Sequence, residues 1–172
     1  MRLNISDKVN NTISIKPPYV LTHTRGNSNP EKKNIAEHEG ELFRALLDKG
    51  VTVVHLDWHN KPTFKAINFV NVCSEDFITV EKLTGLIHGA SGMVGIDSGP
   101  THLARTHYDL PTVQVWTEFC PAHFALPRPK LINLIDTDNP WKLWNKYKQE
   151  GFNIKEVEKL SGNVIADTLI PV

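Results

Sequence analysis

Six consecutive residues, Asp97-Ser98-Gly99-Pro100-Thr101-His102, bring an acid, two hydroxyls, a glycine, a proline and an imidazole into one short stretch. An apolar run over 92–96 precedes them and a short amphipathic segment follows, so a strand ends here and a helix begins. Each residue type suits an anion held at a helix start. Gly99 lets a ligand approach the backbone and tolerates unusual backbone angles. Pro100 fits the first helical turn, where its missing N–H costs nothing. Ser98 can cap the helix or offer its hydroxyl. The N–H groups of Ser98 to His102, with the helix dipole behind them, favour an anion such as phosphate. His102 adds a donor or a positive charge. Asp97 is expected to hold the loop or to accept from a sugar hydroxyl. The same residues also suit a well-capped turn with no ligand.

Other chemistry-bearing groups are thinner. His55, Asp57 and His59 alternate, so a strand would present all three on one face. Three such groups could hold zinc, but the expectation is no metal, with Asp57 on the polar rim of a pocket facing a ribose or base. Glu118, Cys120 and His123 follow another strand; a Cys/His nucleophile pair is conceivable, and a loop with a short helix closing the pocket is the simpler expectation. Trp141 and Trp144 are spaced as a packing stripe on a helix; they could also cover an exposed face or form a subunit contact.

These residues need elements to place them. Strands are expected over 19–23, 51–57, 66–72, 92–96, 112–116 and 130–135. Helices are expected over 34–47, 79–90, 101–108, 141–149 and 154–169. Thr79 is the N-cap of the second helix and Gly50 stops the first. Strand and helix alternate, and several strands are almost wholly apolar, which points to a mostly parallel sheet with helices on both faces. Residues 1–17 form a polar lead-in and 18–172 one domain.

The composition sets limits. A chain of 172 residues suits one domain of ordinary size. Nineteen basic and 19 acidic residues cancel, so no global field draws nucleic acid or anionic membrane. No apolar run is long enough to span a membrane, and the polar start lacks a secretory apolar core. Cys73 and Cys120 lie far apart in no metal or redox pattern and are expected to be reduced thiols. The expected location is therefore cytoplasmic.

The stretch "GMVGIDSGPTHLARTHYDLPTVQVW" resembles the D-[ST]-G-P-x-H-[LI]-A-x-A block of glycosyltransferase family 9, the heptosyltransferase-like proteins. The resemblance covers about 18–136 and is strongest over 80–116. It implies an α/β, Rossmann-like three-layer sandwich, the donor-binding half of a GT-B fold. It implies that Asp97, Ser98, Gly99, Pro100, Thr101 and His102 wrap the diphosphate of a nucleotide sugar. Thr22, Thr24, Arg25, Lys33, Asp57 and Thr117 would be further donor contacts. The sugar donor is a substrate; no cofactor and no metal are implied. Acceptor and catalytic base would come from a separate domain or from another copy of the chain, and the alternative is a module that binds the nucleotide sugar without turnover. Two departures stand out: Thr106 where alanine is common, and "WTEFCPAH" where the family often has F-G-x-[TS]. The second alters the donor rim and leaves sugar and base open.

Overall fold

The computed structural model describes residues 15–26, 34–57, 64–73, 79–117, 121–136 and 150–171. Their sheet has seven strands, all parallel: β1 (Tyr19–His23), β2 (Thr52–Asp57), β3 (Phe69–Cys73), β4 (Ala90–Ile96), β5 (Thr112–Trp116), β6 (Leu131–Asp136) and β7 (Ile154–Val157). The spatial order is β3-β2-β1-β4-β5-β6-β7. The chain builds outward in one direction from β1, then crosses back to begin again at β4. Between β1 and β4 the connections leave in opposite directions, which opens a crevice beyond the carboxyl ends of these strands.

Alternation along the strands divides the core into two layers. Val20, Val53, Val94, Ile96, Val113 and Val115 pack with α1 (Glu39–Asp48) and α5 (Gly162–Leu169). Tyr19, Leu21, Val54, Leu56 and Met93 pack with α2 (Val80–Gly89) and α3 (Gly99–His107) on the opposite face. Both faces of the strands are covered, which explains their near-continuous apolar composition. A short helix, α4 (Pro121–Phe124), follows β5.

The helix ends follow local chemistry. Thr79 caps α2, its hydroxyl accepting from the Lys82 N–H at 3.3 Å. Gly50 ends α1 with φ +77°, where a side chain would be strained. The first helix starts later than its periodicity suggests: Ile35 N–H returns to the Thr24 carbonyl at 2.9 Å, a 3₁₀ turn covers Ala36–His38, and α1 begins at Glu39.

The largest difference from expectation lies at the carboxyl end. Residues 154–169 do not form one helix. Ile154–Val157 is an edge strand beside β6, and α5 starts only at Gly162. Ile154 and Val157 have helical spacing, but the free edge of β6 supplies their backbone partners, and exposed Lys155 and Glu156 suit an edge. Ser161 then caps α5, accepting from the Val164 N–H at 3.2 Å. The helix expected over 141–149, with Trp141 and Trp144, lies outside the described residues.

The two helices on the α1 face meet closely. A Cβ on Gly162 would stand 2.1 Å from the Leu42 backbone nitrogen. The Gly162 N–H also donates to Glu41 at 2.9 Å. Gly162→Ala must push α5 off α1, and a loss of about 1–3 kcal/mol is expected in urea denaturation. Gly99→Ala, with open space around the new methyl, is expected to change stability by less than about 0.5 kcal/mol.

Candidate functional site

The end of β1 and the turn after β4 meet at the crevice. Ser98 occupies the N-cap position of α3, with extended backbone. Its side chain does not cap the helix. Its hydroxyl shares a hydrogen bond with Thr101 Oγ1 at 3.0 Å and another with His23 Nδ1 at 2.9 Å. His23 is the last residue of β1, so this contact joins the end of β1 to the start of α3 at the point where the strand order reverses. Thr101 is fully buried against Gly95, where a Cβ would lie 2.1 Å from the Thr101 hydroxyl. Burial, then the charge of nearby His55, pushes the His23 imidazole down to about 3, so it stays neutral. Its Nε2 is buried with no hydrogen-bond partner.

Pro100 lies in the first turn of α3 as expected. Gly99 needs no unusual backbone; its value is space, since nothing lies within 4 Å of where a side chain would begin. The His102 N–H is spent within the helix on the Ser98 carbonyl, at 2.9 Å. The earlier N–H groups of the turn, at Gly99 and Thr101, are those that helix geometry leaves facing outward. Asp97 holds the loop: its Oδ1 pairs with His102 Nε2 at 2.8 Å. His102 Nδ1 meets Arg105 Nη2. Both ring nitrogens are therefore engaged, and His102 in this arrangement offers a ligand neither a free donor nor a free charge. Burial lowers the Arg105 guanidinium below its usual range, the charge of Asp97 opposes that, and Arg128 adds to it.

The residues expected to surround this core divide in two. Thr22 is buried and shares a hydrogen bond with His55 Nδ1 at 3.0 Å. Asp57 ends β2 and accepts from Asn71 Nδ2 at 3.1 Å. His55 lies tilted on the Phe43 ring, centroids 4.9 Å apart, and burial holds it below the usual imidazole range against the pull of Glu39 and Asp57. Among the described residues no group of three or more metal-ligating side chains gathers. Thr117 follows β5 directly, at the same carboxyl edge. Lys33, His59, Glu118 and Cys120 lie outside the described residues, as does the His123 side chain.

Thr24 and Arg25 converge on Glu39 at the start of α1. The Thr24 hydroxyl donates to Oε1 at 2.5 Å, and Arg25 donates from Nε to Oε1 at 2.8 Å and from Nη2 to Oε2 at 2.7 Å. Two donors of Arg25 are thus committed inside the protein, which ties Thr24 and Arg25 to the start of α1. Sequence reasoning passed over His23, Glu39 and Arg105. Glu39 precedes buried Phe43 by four residues and so lies on the apolar stripe of its helix. Arg105 follows buried Thr101 by the same step. A charged residue on a buried stripe is the signal that could have found both.

Burial raises the Glu39 carboxyl, but the hydrogen bonds from Arg25 and Thr24 and nearby positive charge outweigh it, and the group ends below the ordinary value. A depressed carboxylate contributes stability above its unfolded pKa and loses it as pH falls through the folded one. Glu39→Gln is therefore expected to cost about 2 kcal/mol near neutral pH. The gap to the wild type should close as pH drops below about 4.5, read by denaturant unfolding across a pH series.

Comparison with known proteins bears on the family and the fold. The family model for glycosyltransferase family 9 (heptosyltransferase) matches residues 5–151. Among solved structures, the dodecameric iron-containing heptosyltransferase TibC, in complex with ADP-D-β-D-heptose, superposes with a TM-score of 0.53 at 20% identity. The match covers 72% of this chain and 33% of TibC, so the chain spans about a third of the length of that relative. No curated protein matches. With the family block on the page, an all-parallel Rossmann-like sheet beneath it and a family match over most of its length, the chain belongs to glycosyltransferase family 9.

Proposed function

We propose that this chain binds a nucleotide-diphosphate sugar at the carboxyl ends of β1 and β4 and serves its transfer to an acceptor hydroxyl. The observation that carries this is the His23–Ser98 bond, which sets the start of α3 at the mouth of the switch-point crevice. The diphosphate would lie over Gly99, whose open side admits it, and accept from the Gly99 and Thr101 N–H groups. Asp97, Ser98, Pro100 and His102 shape that loop. Arg25, Asp57 and Thr117 would line the rest of the crevice, with buried Thr22 and Thr24 holding His55 and Glu39 behind it, and Lys33, outside the described residues, is a further candidate. The ADP-heptose bound to TibC makes ADP sugars the first donors to try.

In the transfer step the acceptor oxygen bonds to the anomeric carbon as the bond from that carbon to the diphosphate oxygen breaks. The diphosphate leaves with the electron pair, and the acceptor proton passes to a base. Fixed N–H dipoles stabilise the charge that grows on the leaving group. The acceptor side and the base would be supplied by a partner domain or a second copy of the chain.

A second reading, binding without turnover, is favoured by one observation. The acid and the imidazole of the loop are spent on each other, so the site is rich in donors and poor in proton acceptors.

The test is a thermal-shift panel of ADP-, GDP- and UDP-sugars. A donor at about 100 times its Kd should add roughly 2.7 kcal/mol of stability. Asp97→Ala and His102→Ala should each reduce the shift. No shift with any sugar nucleotide at about millimolar concentration would contradict both readings. Release of nucleoside diphosphate from a bound donor, with and without added acceptor, then separates transfer from simple binding.

A further inference from the structure

An acid at a phosphate-binding helix start is electrostatically awkward, and the structure contains the group that relieves it. We propose that Arg105 is the counter-charge and tautomer lock of the donor loop: it fixes His102 in the neutral Nε2–H form, which ties Asp97 back and leaves the start of α3 open to an anion. The proposal concerns a positioning residue and rests on the donor-site reading above for its purpose, though not for its geometry.

The chemistry follows from the donor inventory. A guanidinium has only donors. Its Nη2 meets His102 Nδ1, so Nδ1 must present its lone pair. The ring proton then sits on Nε2 and donates to Asp97 Oδ1 at 2.8 Å. The Arg105 Nη2 also donates to the Phe124 carbonyl at 2.8 Å, which holds the guanidinium from the far side. Arg105 is 3% exposed. The result is a chain of carboxylate, neutral imidazole and guanidinium whose charges cancel.

Protonating His102 would break this chain. A second N–H at Nδ1 would face the guanidinium, with loss of the hydrogen bond and cation against cation. Among the described residues, the titratable and charged groups in contact with the ring or with its partners come from four elements. Asp97 stands in the turn after β4, Arg105 on α3 itself, Arg128 between α4 and β6, and His23 on β1 through Ser98. Arg128 has the same sign as Arg105, and His23 is held neutral by burial. Asp97 alone favours a charged ring, and Arg105 opposes it.

The direct test follows the His102 ring nitrogens by long-range proton–nitrogen correlation in the full-length chain. The wild type should show the proton on Nε2 and the lone pair on Nδ1. In Arg105→Met, which keeps an apolar stem without the donor, that preference should be lost and a ring proton should appear on Nδ1. Arg105→Gln, whose carbonyl can accept from a protonated Nδ1, should do the same and serves if the methionine variant fails to fold. A wild-type ring proton on Nδ1, or the same tautomer in wild type and variants, would overturn the proposal.

ADP-glucose supplies a second readout. Arg105→Met should weaken its binding about tenfold while the thermal unfolding midpoint stays near that of the wild type. A loss of binding that only accompanies a loss of stability would mean that Arg105 only supports the fold. If the wild type does not bind ADP-glucose, the donor reading fails for that ligand, and the nitrogen spectra still decide the lock.

Discussion

β1 and β4 pair directly, yet their connections leave in opposite directions, and just beyond the carboxyl ends of that pair the two are tied again by one side-chain hydrogen bond. His23 closes β1 and Ser98 opens α3; their 2.9 Å contact lies at the seam where the strand order reverses. The arrangement depends on details well inside the core. Gly95 must lack a side chain for Thr101 to sit down on β4. Thr101 must sit down for its hydroxyl to reach Ser98. Ser98 must forgo its capping bond to face His23. The helix start is thus held by the sheet rather than by its own cap, and its first N–H groups remain directed at the crevice.

Charge is managed by the same economy. On one side of the seam Glu39 takes two donors of Arg25 and the Thr24 hydroxyl. On the other, His102 takes Asp97, and Arg105 sits behind His102. Each buried ion meets an opposite charge or a hydrogen bond, as low-dielectric surroundings demand. Among the described residues some buried polar atoms keep no hydrogen-bond partner, both nitrogens, such as His23 Nε2 and Arg105 Nε and Nη1, and oxygens, such as Asn71 Oδ1 and Gln114 Oε1.

Much of the fold was legible because burial on both faces writes apolar strands directly into the sequence. The strands at Tyr19–His23 and Thr112–Trp116 fall where the pattern places them. Glycine and threonine mark helix ends through backbone geometry that needs no tertiary context, as Gly50 and Thr79 do. The carboxyl end was not legible: Ile154–Val157 has helical spacing, and only the exposed edge of β6 makes it a strand. In the site, the loop Asp97–His102 could be found because its unusual residue types are contiguous. The partners that set its chemistry could not, because His23 and Ser98 are 75 residues apart. Ser98 read as a cap and His102 as a free donor until the groups bonded to them were known. Arg105 follows buried Thr101 by four residues, a signal of burial that becomes plain only with the packing of α3.

The account stands most directly on where a sugar nucleotide touches the chain. Backbone amide spectra of the labelled protein, titrated with ADP-glucose, would show it. The structure predicts saturable shifts largest at Gly99 and Thr101, with the His23 ring responding alongside. Saturable binding that leaves those two amides and His23 unmoved would contradict the claim that the switch-point crevice holds the diphosphate.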